Sequence, residues 1–296
     1  MRVFLTGSTG FIGSRIVPEL LGAGHQVLGL TRSDTGAAAL LAAGAEPHRG
    51  DIEDLDSLRR GASEADAVIH TAFDHDFSNF VANCEKDRRV IEALGDVLKG
   101  SDRPLIITSG TGMGGGSPGT LATESVFDRS HPNPRIASEE AGEVLKAAGV
   151  DVRVVRLPQV HDPVKQGLIS PLLDVAREKG ISAYVGEGLN RWPAAHVLDV
   201  ARLYRLALDK GSRNARYNAV AEEGVSARDI AEVLGEGLNL PVVGLSPEEA
   251  VAHFGWMAMF VGLDMSASSA WTREQLDWHP EGPGLIEDLR AMDYGV

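Results

Sequence analysis

Three glycines at a fixed spacing constrain this chain more than anything else in it. Gly7-Ser8-Thr9-Gly10-Phe11-Ile12-Gly13 follows an apolar run over 2–6, and 14–22 then sets Ile16, Val17, Leu20 and Leu21 at helical spacing. A strand that gives way to a helix this abruptly leaves no space for side chains at the turn. Gly7 permits the tight turn, Gly10 lets a bound group approach the backbone, and Gly13 lets the helix lie close on the strand. The first N–H groups of that helix then face outward as an anion site.

The rest of the first half repeats the pattern. Strands are expected over 26–30, 46–49, 67–70, 104–108 and 152–155, separated by helices over 37–43, 54–61, 77–99 and 136–148. This alternation predicts an α/β chain, a doubly wound parallel-sheet Rossmann domain with a smaller, mostly helical substrate domain. The cofactor-binding domain is expected over 1–160, with a returning segment near 190–212, and the substrate-binding region over 161–296. Helices are expected at 168–179, 197–208 and 226–238, the last capped by Ser226. The long stretch 110–134, with Gly112, Gly114, Gly115, Gly116 and Gly119, reads as a functional or disordered loop.

Composition removes several function classes. A formal net charge of −14 over 296 residues, with Lys and Arg scattered, speaks against a nucleic-acid surface. Cys84 is the only cysteine, so no intramolecular disulfide and no cysteine-based metal site can form. No run is apolar enough to span a membrane, and the opening passes straight into a strand pattern without the form of a signal peptide, so a cytoplasmic protein is expected. No His, Asp or Glu spacing resembles a metal cluster, so no metal is expected.

The glycine spacing, and a set of further segments in a fixed order, resemble the extended and atypical short-chain dehydrogenases/reductases, the NAD(P)-dependent epimerase/dehydratase superfamily. Gly50-Asp51-Ile52 resembles that family's adenine-contacting segment, and Val68-Ile69-His70-Thr71-Ala72 its stretch beside the cofactor. Thr108-Ser109 ends a strand where the family carries a serine-rich turn. Arg156-Leu157-Pro158-Gln159-Val160 is similar to the segment lining the nicotinamide, and His196-Val197-Leu198-Asp199-Val200-Ala201 to a late helix start. The resemblance implies a dinucleotide held by Gly7, Thr9, Gly10, Phe11, Ile12, Gly13, Asp51, Ile52, Thr71, Ala72, Phe73, Leu157, Pro158 and Val160. At the end of the second strand, where a ribose-gripping acid is expected, stands Arg32. A planar, permanent cation there suits a 2′-phosphate, which favours NADP(H) over NAD(H).

The resemblance also implies a Tyr-x-x-x-Lys pair that exchanges a proton with the substrate. Tyr184, Tyr204 and Tyr217 are followed four residues later by Gly188, Leu208 and Ala221, and Tyr294 by nothing, so the pair is absent. In Pro134-Arg135-Ile136-Ala137-Ser138-Glu139, Arg135 takes the tyrosine's place and Glu139 the lysine's, unless the two form a surface i,i+4 ion pair. Gly110 takes the serine's place, flanked by Ser109 and Thr111. Candidate catalytic groups are therefore Ser109, Thr111, Arg135 and the histidines His75, His131 and His161, with His161 favoured as proton donor. The expected activity is NADP(H)-dependent reduction or oxidation of a small carbonyl-type molecule. The alternatives are a non-catalytic NADP(H) sensor and a sugar-nucleotide epimerase or dehydratase. A homodimer through the helices over 77–99 and 136–148 is expected from the resemblance, although Glu85, Lys86, Asp87, Arg88 and Arg89 make the first of them polar. Trp256, Met257, Met259 and Phe260 are expected either to form the second domain's core or to close over the nicotinamide pocket.

Overall fold

The computed structural model describes residues 1–115 and 119–295; Gly116 of the glycine loop lies outside the described residues. Six strands, β1 (Arg2–Thr6), β2 (Gln26–Thr31), β3 (Glu46–Arg49), β4 (Ala67–His70), β5 (Pro104–Gly110) and β6 (Asp151–Leu157), alternate with five helices. These are α1 (Gly13–Gly22), α2 (Asp34–Ala42), α3 (Leu55–Ser63), α4 (Phe80–Leu98) and α5 (Ile136–Ala147). The chain continues through β7 (Gln159–His161), α6 (Ile169–Lys179), β8 (Ser182–Val185), β9 (Arg191–His196), α7 (Val197–Asp209) and β10 (Arg216–Asn218). It ends with β11 (Glu222–Ser226), α8 (Ala227–Leu238), β12 (Val242–Leu245), α9 (Pro247–Phe254), α10 (Ala258–Val261), α11 (Ala270–Leu276) and α12 (Leu285–Ala291).

The seven-stranded sheet runs β10-β6-β5-β4-β1-β2-β3, every pair parallel. Alternation along each strand explains why it is covered on both faces. Val3, Leu5, Val27, Ala67, Ile69 and Ile106 enter one core with α1 and α7, while Phe4, Leu28, Val68, Leu105 and Ile107 enter another with α3, α4 and α5. Strand order reverses at β1, between β2 and β4, and a crevice therefore opens at the carboxyl ends of β1 and β4, where the glycine loop sits.

The second lobe holds two small sheets, β11-β9-β7 and parallel β12-β8, packed with α6, α8, α9 and α12 around a third core. Its strands are three to six residues long, too short for a period of two to show against the neighbouring helices, which is why the sequence reads as mostly helical there. The lobes are not consecutive along the chain. Segment 197–218 returns to the first core, and Trp278, fully buried, joins it with its Nε1 donating to Asp199 O at 3.0 Å. The long loop over 110–134 is anchored by Glu124, whose carboxylate accepts from the Thr272 hydroxyl at 2.6 Å.

Candidate active site

The loop after β1 is a cradle that side chains would fill. Gly7 has φ +69°, and a Cβ there would come within 2.7 Å of Thr71 Oγ1 and 2.8 Å of Ala72 N. A Cβ on Gly13 would overlap Gly7 O. Thr71 in turn donates its hydroxyl to Thr6 O at 2.8 Å, tying the ends of β1 and β4 together. Thr9 and Gly10 are exposed and Phe11 and Ile12 half-buried, and the first turn of α1 closes on the loop itself, Ser14 N donating to Gly10 O at 3.0 Å and Arg15 N to Ile12 O at 2.9 Å. Leu157 and Val160 pack with Phe11 and Ile12 in one cluster, which brings the segment beyond β6, Pro158 included, to the phosphate loop. The cradle fits a dinucleotide pyrophosphate on its own geometry.

At the other end of the crevice, Arg32 extends into solvent with 77% of its side chain exposed, and its one ion-pair partner among the described residues is Asp51, at 3.6 Å. Asp34, the acid two residues further along the chain, pairs instead with Arg49 at 2.8 Å. Ser33 caps α2 by accepting from Gly36 N at 3.0 Å, so the N-terminus of α2 sits beside Arg32. Ile52, Ala72 and Phe73 line a shallow dip together with His70 and Asp87.

Beneath the crevice lies a buried charge network that the family pattern does not anticipate. Asp87, on the inner face of α4 and 4% exposed, accepts from His70 Nε2 at 2.9 Å, Ser138 Oγ at 2.6 Å and Arg135 Nη1 at 2.5 Å. Burial alone would push the Asp87 carboxyl up, but Arg135, His70 and Ser138 hold it far below the usual carboxylate range. His70 Nδ1 pairs with Thr6 Oγ1 at 2.7 Å. Arg135 also donates to Thr108 O at 3.1 Å and to Ser138 Oγ, and its guanidinium lies 4.1 Å over the Phe73 ring. The residue in the tyrosine's place is thus pinned at the ends of β4 and β5.

The other predicted catalytic residues separate by environment. His75 is exposed but crowded by Phe73 and Phe77, and this desolvation, with Arg135 and Lys165, lowers its pKa. It shares the mouth of the site with Arg135. Ser109 and Thr111 are buried at the end of β5. Ser109 Oγ makes no hydrogen bond of normal geometry among the described residues, though it lies near enough to Glu139 to help hold that carboxyl down. His131 sits in the turn before α5, its Nδ1 accepting from Asn133 N at 3.2 Å. His161 is fully buried, its Nδ1 2.6 Å from Asp288 of α12 and its ring against His196. That enclosure removes the reason for favouring it as proton donor, since no substrate reaches a ring sealed between the lobes.

Nor is there a surface ion pair between Arg135 and Glu139. Glu139 points to the opposite side of α5, fully screened, where it takes Arg156 Nε at 2.8 Å, Arg156 Nη2 at 2.9 Å and Arg216 Nε at 2.9 Å. It stands in the lysine's place in sequence only; its side chain is part of the packing between α5, β6 and β10.

The model of the NAD dependent epimerase/dehydratase family matches residues 3–220. This chain belongs to that family. An uncharacterized protein of Schizosaccharomyces pombe is 46% identical over 295 residues, covering 99% of this chain and all of that one. The UDP-glucose 4-epimerase of Streptomyces lividans is 29% identical over 331 residues, covering 97% of this chain and 98% of its own. Among solved structures, a Thermus thermophilus UDP-glucose 4-epimerase complex with NAD superposes with a TM-score of 0.76 at 23% identity, covering 100% of this chain and 99% of that one. As a member of the epimerase/dehydratase family the chain is placed among NAD-dependent enzymes with a parallel seven-stranded sheet.

Sequence reasoning gave His70 only as part of the stretch beside the cofactor, counted Asp87 among the charges that make the 77–99 helix polar although it is buried, and assigned Lys165 no role. A signal for Asp87 was present. It falls in register with Cys84, Val90, Ile91 and Leu94 on the apolar face of α4, where an acid is costly unless paired. Lys165 lies 5.7 Å from the Phe11 ring and is felt by His75, a placement that depends on how the 161–167 loop folds back.

Proposed function

We propose that this protein is an NADP(H)-dependent oxidoreductase that transfers hydride to or from a small carbonyl-type substrate, an aldehyde, ketone or imine. The observation that carries this reading is Arg135, fixed by Asp87, Thr108 and Ser138 where the family pattern puts its tyrosine and lying against Phe73 beside His75. A guanidinium held in this way stabilises negative charge developing on a substrate oxygen without giving up a proton. His75, an imidazole at the same mouth, moves the proton. The nicotinamide supplies the hydride when bound. Exposed Arg32, next to the N-terminus of α2, supports recognition of a 2′-phosphate and thus NADP(H).

A second reading has its own support: the full-length similarity to a UDP-glucose 4-epimerase. One experiment separates the two. Purified protein is given NADPH with a panel of aldehydes, ketones and imines while cofactor absorbance is followed, and separately NAD with UDP-glucose while UDP-galactose is measured. Carbonyl-dependent NADPH oxidation that falls about 10²–10³-fold in Arg135→Ala, with NADPH affinity within a few-fold, supports the oxidoreductase. Epimerisation without NADPH oxidation replaces it, and turnover of nothing in either arm leaves an NADP(H) sensor.

A further inference from the structure

The turn after β7 carries a cation to the mouth of the crevice. Buried Gln159 holds this turn, its Nε2 donating to Gln166 O at 2.6 Å and its Oε1 accepting from Leu168 N at 3.0 Å. Asp162 N closes it on Lys165 O at 3.0 Å, and Val164 and Lys165 stand exposed at its apex. Asp162, the acid of the same turn, is engaged elsewhere. Its Oδ1 accepts from Val164 N at 2.8 Å and Lys165 N at 2.7 Å, and its Oδ2 lies 3.7 Å from Arg15 of α1. The Lys165 ammonium lies over the Phe11 ring of the phosphate loop, 5.7 Å from its centre, and enters no ion pair among the described residues. Its charge reaches His75 together with that of Arg135. Arg135 is matched by Asp87 at 2.5 Å, and Asp74, the acid beside His75, is taken by Lys86 at 2.8 Å. Of the two cations that act on His75, Lys165 is therefore the one without a counter-charge.

Stabilising charge on a carbonyl oxygen takes one fixed cation, and Arg135 fills that part in the reading above. A second, uncompensated ammonium at the same mouth serves another end of the ligand. The net charge of −14 repels an anion approaching from a distance, but within about 8 Å, the screening length at physiological salt, a local cation decides. One ammonium balances one charge, which matches a carboxylate rather than a phosphate carrying about two. We infer that Lys165 recognises a carboxylate on the substrate, so that the carbonyl compound handled in this crevice is also an acid. Arg135 and His75 act at one end of that molecule, and Lys165 holds the other. The inference rests on the proposed function for the place of the carbonyl, whereas the charge contact itself requires no turnover.

The test compares 3- and 4-formylbenzoate, two spacings of carbonyl and acid, with their uncharged methyl esters. Each is titrated calorimetrically into the full-length protein saturated with NADP⁺. At least one acid binds about three- to fivefold more tightly than its ester, the worth of an exposed ion pair. The preference fades as salt rises from about 20 to about 500 mM. Lys165→Met, which keeps the apolar stem over Phe11, removes the preference, and Lys165→Arg retains it. NADPH affinity stays within about twofold of wild type in both variants. Equal affinities for acid and ester in the wild-type protein overturn the inference, and so does a preference that survives in Lys165→Met or millimolar acid that does not bind. A several-fold loss of NADPH affinity in Lys165→Met also overturns it, by assigning the ammonium to a cofactor phosphate. A preference that vanishes in Lys165→Met supports the contact even where the acids oxidise no NADPH, a result that counts only against the oxidoreductase reading.

Discussion

Glu139 is where family resemblance and structure part most sharply, and its removal has a calculable effect. Its carboxylate is fully screened from solvent and accepts three hydrogen bonds, two from Arg156 and one from Arg216. Arg156 is itself 0% exposed. Glu139→Ala leaves that guanidinium with the Thr123 carbonyl at 3.0 Å as its one short bond. Breaking a buried pair from one side costs about 3–5 kcal/mol, against roughly 5–15 kcal/mol for a whole domain. At about 2–4 °C per kcal/mol, the melting temperature falls by on the order of 10 °C. The double variant Glu139→Ala/Arg156→Met recovers part of this, since the penalty comes from the stranded cation rather than from the lost contact. There is also a pH signature. Burial pushes the Glu139 carboxyl up, but the hydrogen bond and charge of Arg156, with Ser109 and Arg216, pull it below its ordinary 4.5. The stabilisation is therefore complete above pH 4.5 and lost as pH falls below it, so Glu139→Gln flattens the acid limb of the stability curve. Thermal melts at pH 7 and between pH 5 and 3 measure both effects. A melting temperature within 2 °C of wild type for Glu139→Ala, at roughly the scale used above, would refute the structural role.

Other expectations follow from the same geometry. Arg32→Ala weakens NADPH about tenfold or more in a fluorescence titration and leaves NADH nearly unchanged, a charge-assisted contact being worth about 1.5–3 kcal/mol; equal losses for both cofactors count against a 2′-phosphate contact. Because desolvation, Arg135 and Lys165 lower the pKa of His75 from 6.5, reductive turnover rises as pH falls, with its inflection below 6.5, and the reverse oxidation gains as pH rises. His75→Ala flattens this profile and lowers turnover about 10²–10⁴-fold, and an unchanged profile rules His75 out. Met257 and Phe260 are buried in the second lobe's core, whereas Trp256 stacks on Phe77 at 4.7 Å across to the first lobe. Its emission accordingly changes when cofactor and substrate bind, which a Trp256→Phe control assigns.

The sheet was legible in the sequence because its signals are long and doubly determined. Strands such as Ala67–His70 and Pro104–Gly110 open on apolar runs, Ala67-Val68-Ile69 and Pro104-Leu105-Ile106-Ile107, that are buried throughout. The glycine loop was legible because only glycine meets its steric demands. What escaped was whatever depends on elements distant in sequence. His161 lies in a segment that resembles a nicotinamide lining, and nothing near it in the chain foretells Asp288, which encloses it from 127 residues away. Glu139 and Arg135 are one helical turn apart, yet they face β6 and α4 respectively, and spacing alone says nothing of which side each takes. The strands β7 to β9 are stabilised by partners rather than by pattern, and short strands carry no period of their own.

The return of α7 and β10 to the first sheet bears on how this chain comes to be folded at all. The helix that packs on β5 and β6, and the strand that edges β6, are synthesised only after the intervening residues of the second lobe. Arg205 of α7 closes on Glu19 of α1 across 186 residues, and His25 meets Asp209 across 184. Until then a growing chain holds six paired strands with one apolar face covered by α1 alone, a state that invites association with other chains. High contact order of this kind slows folding and couples the two lobes into one transition. The cofactor crevice is therefore among the last features to be completed, although the residues that define it are among the first to be made.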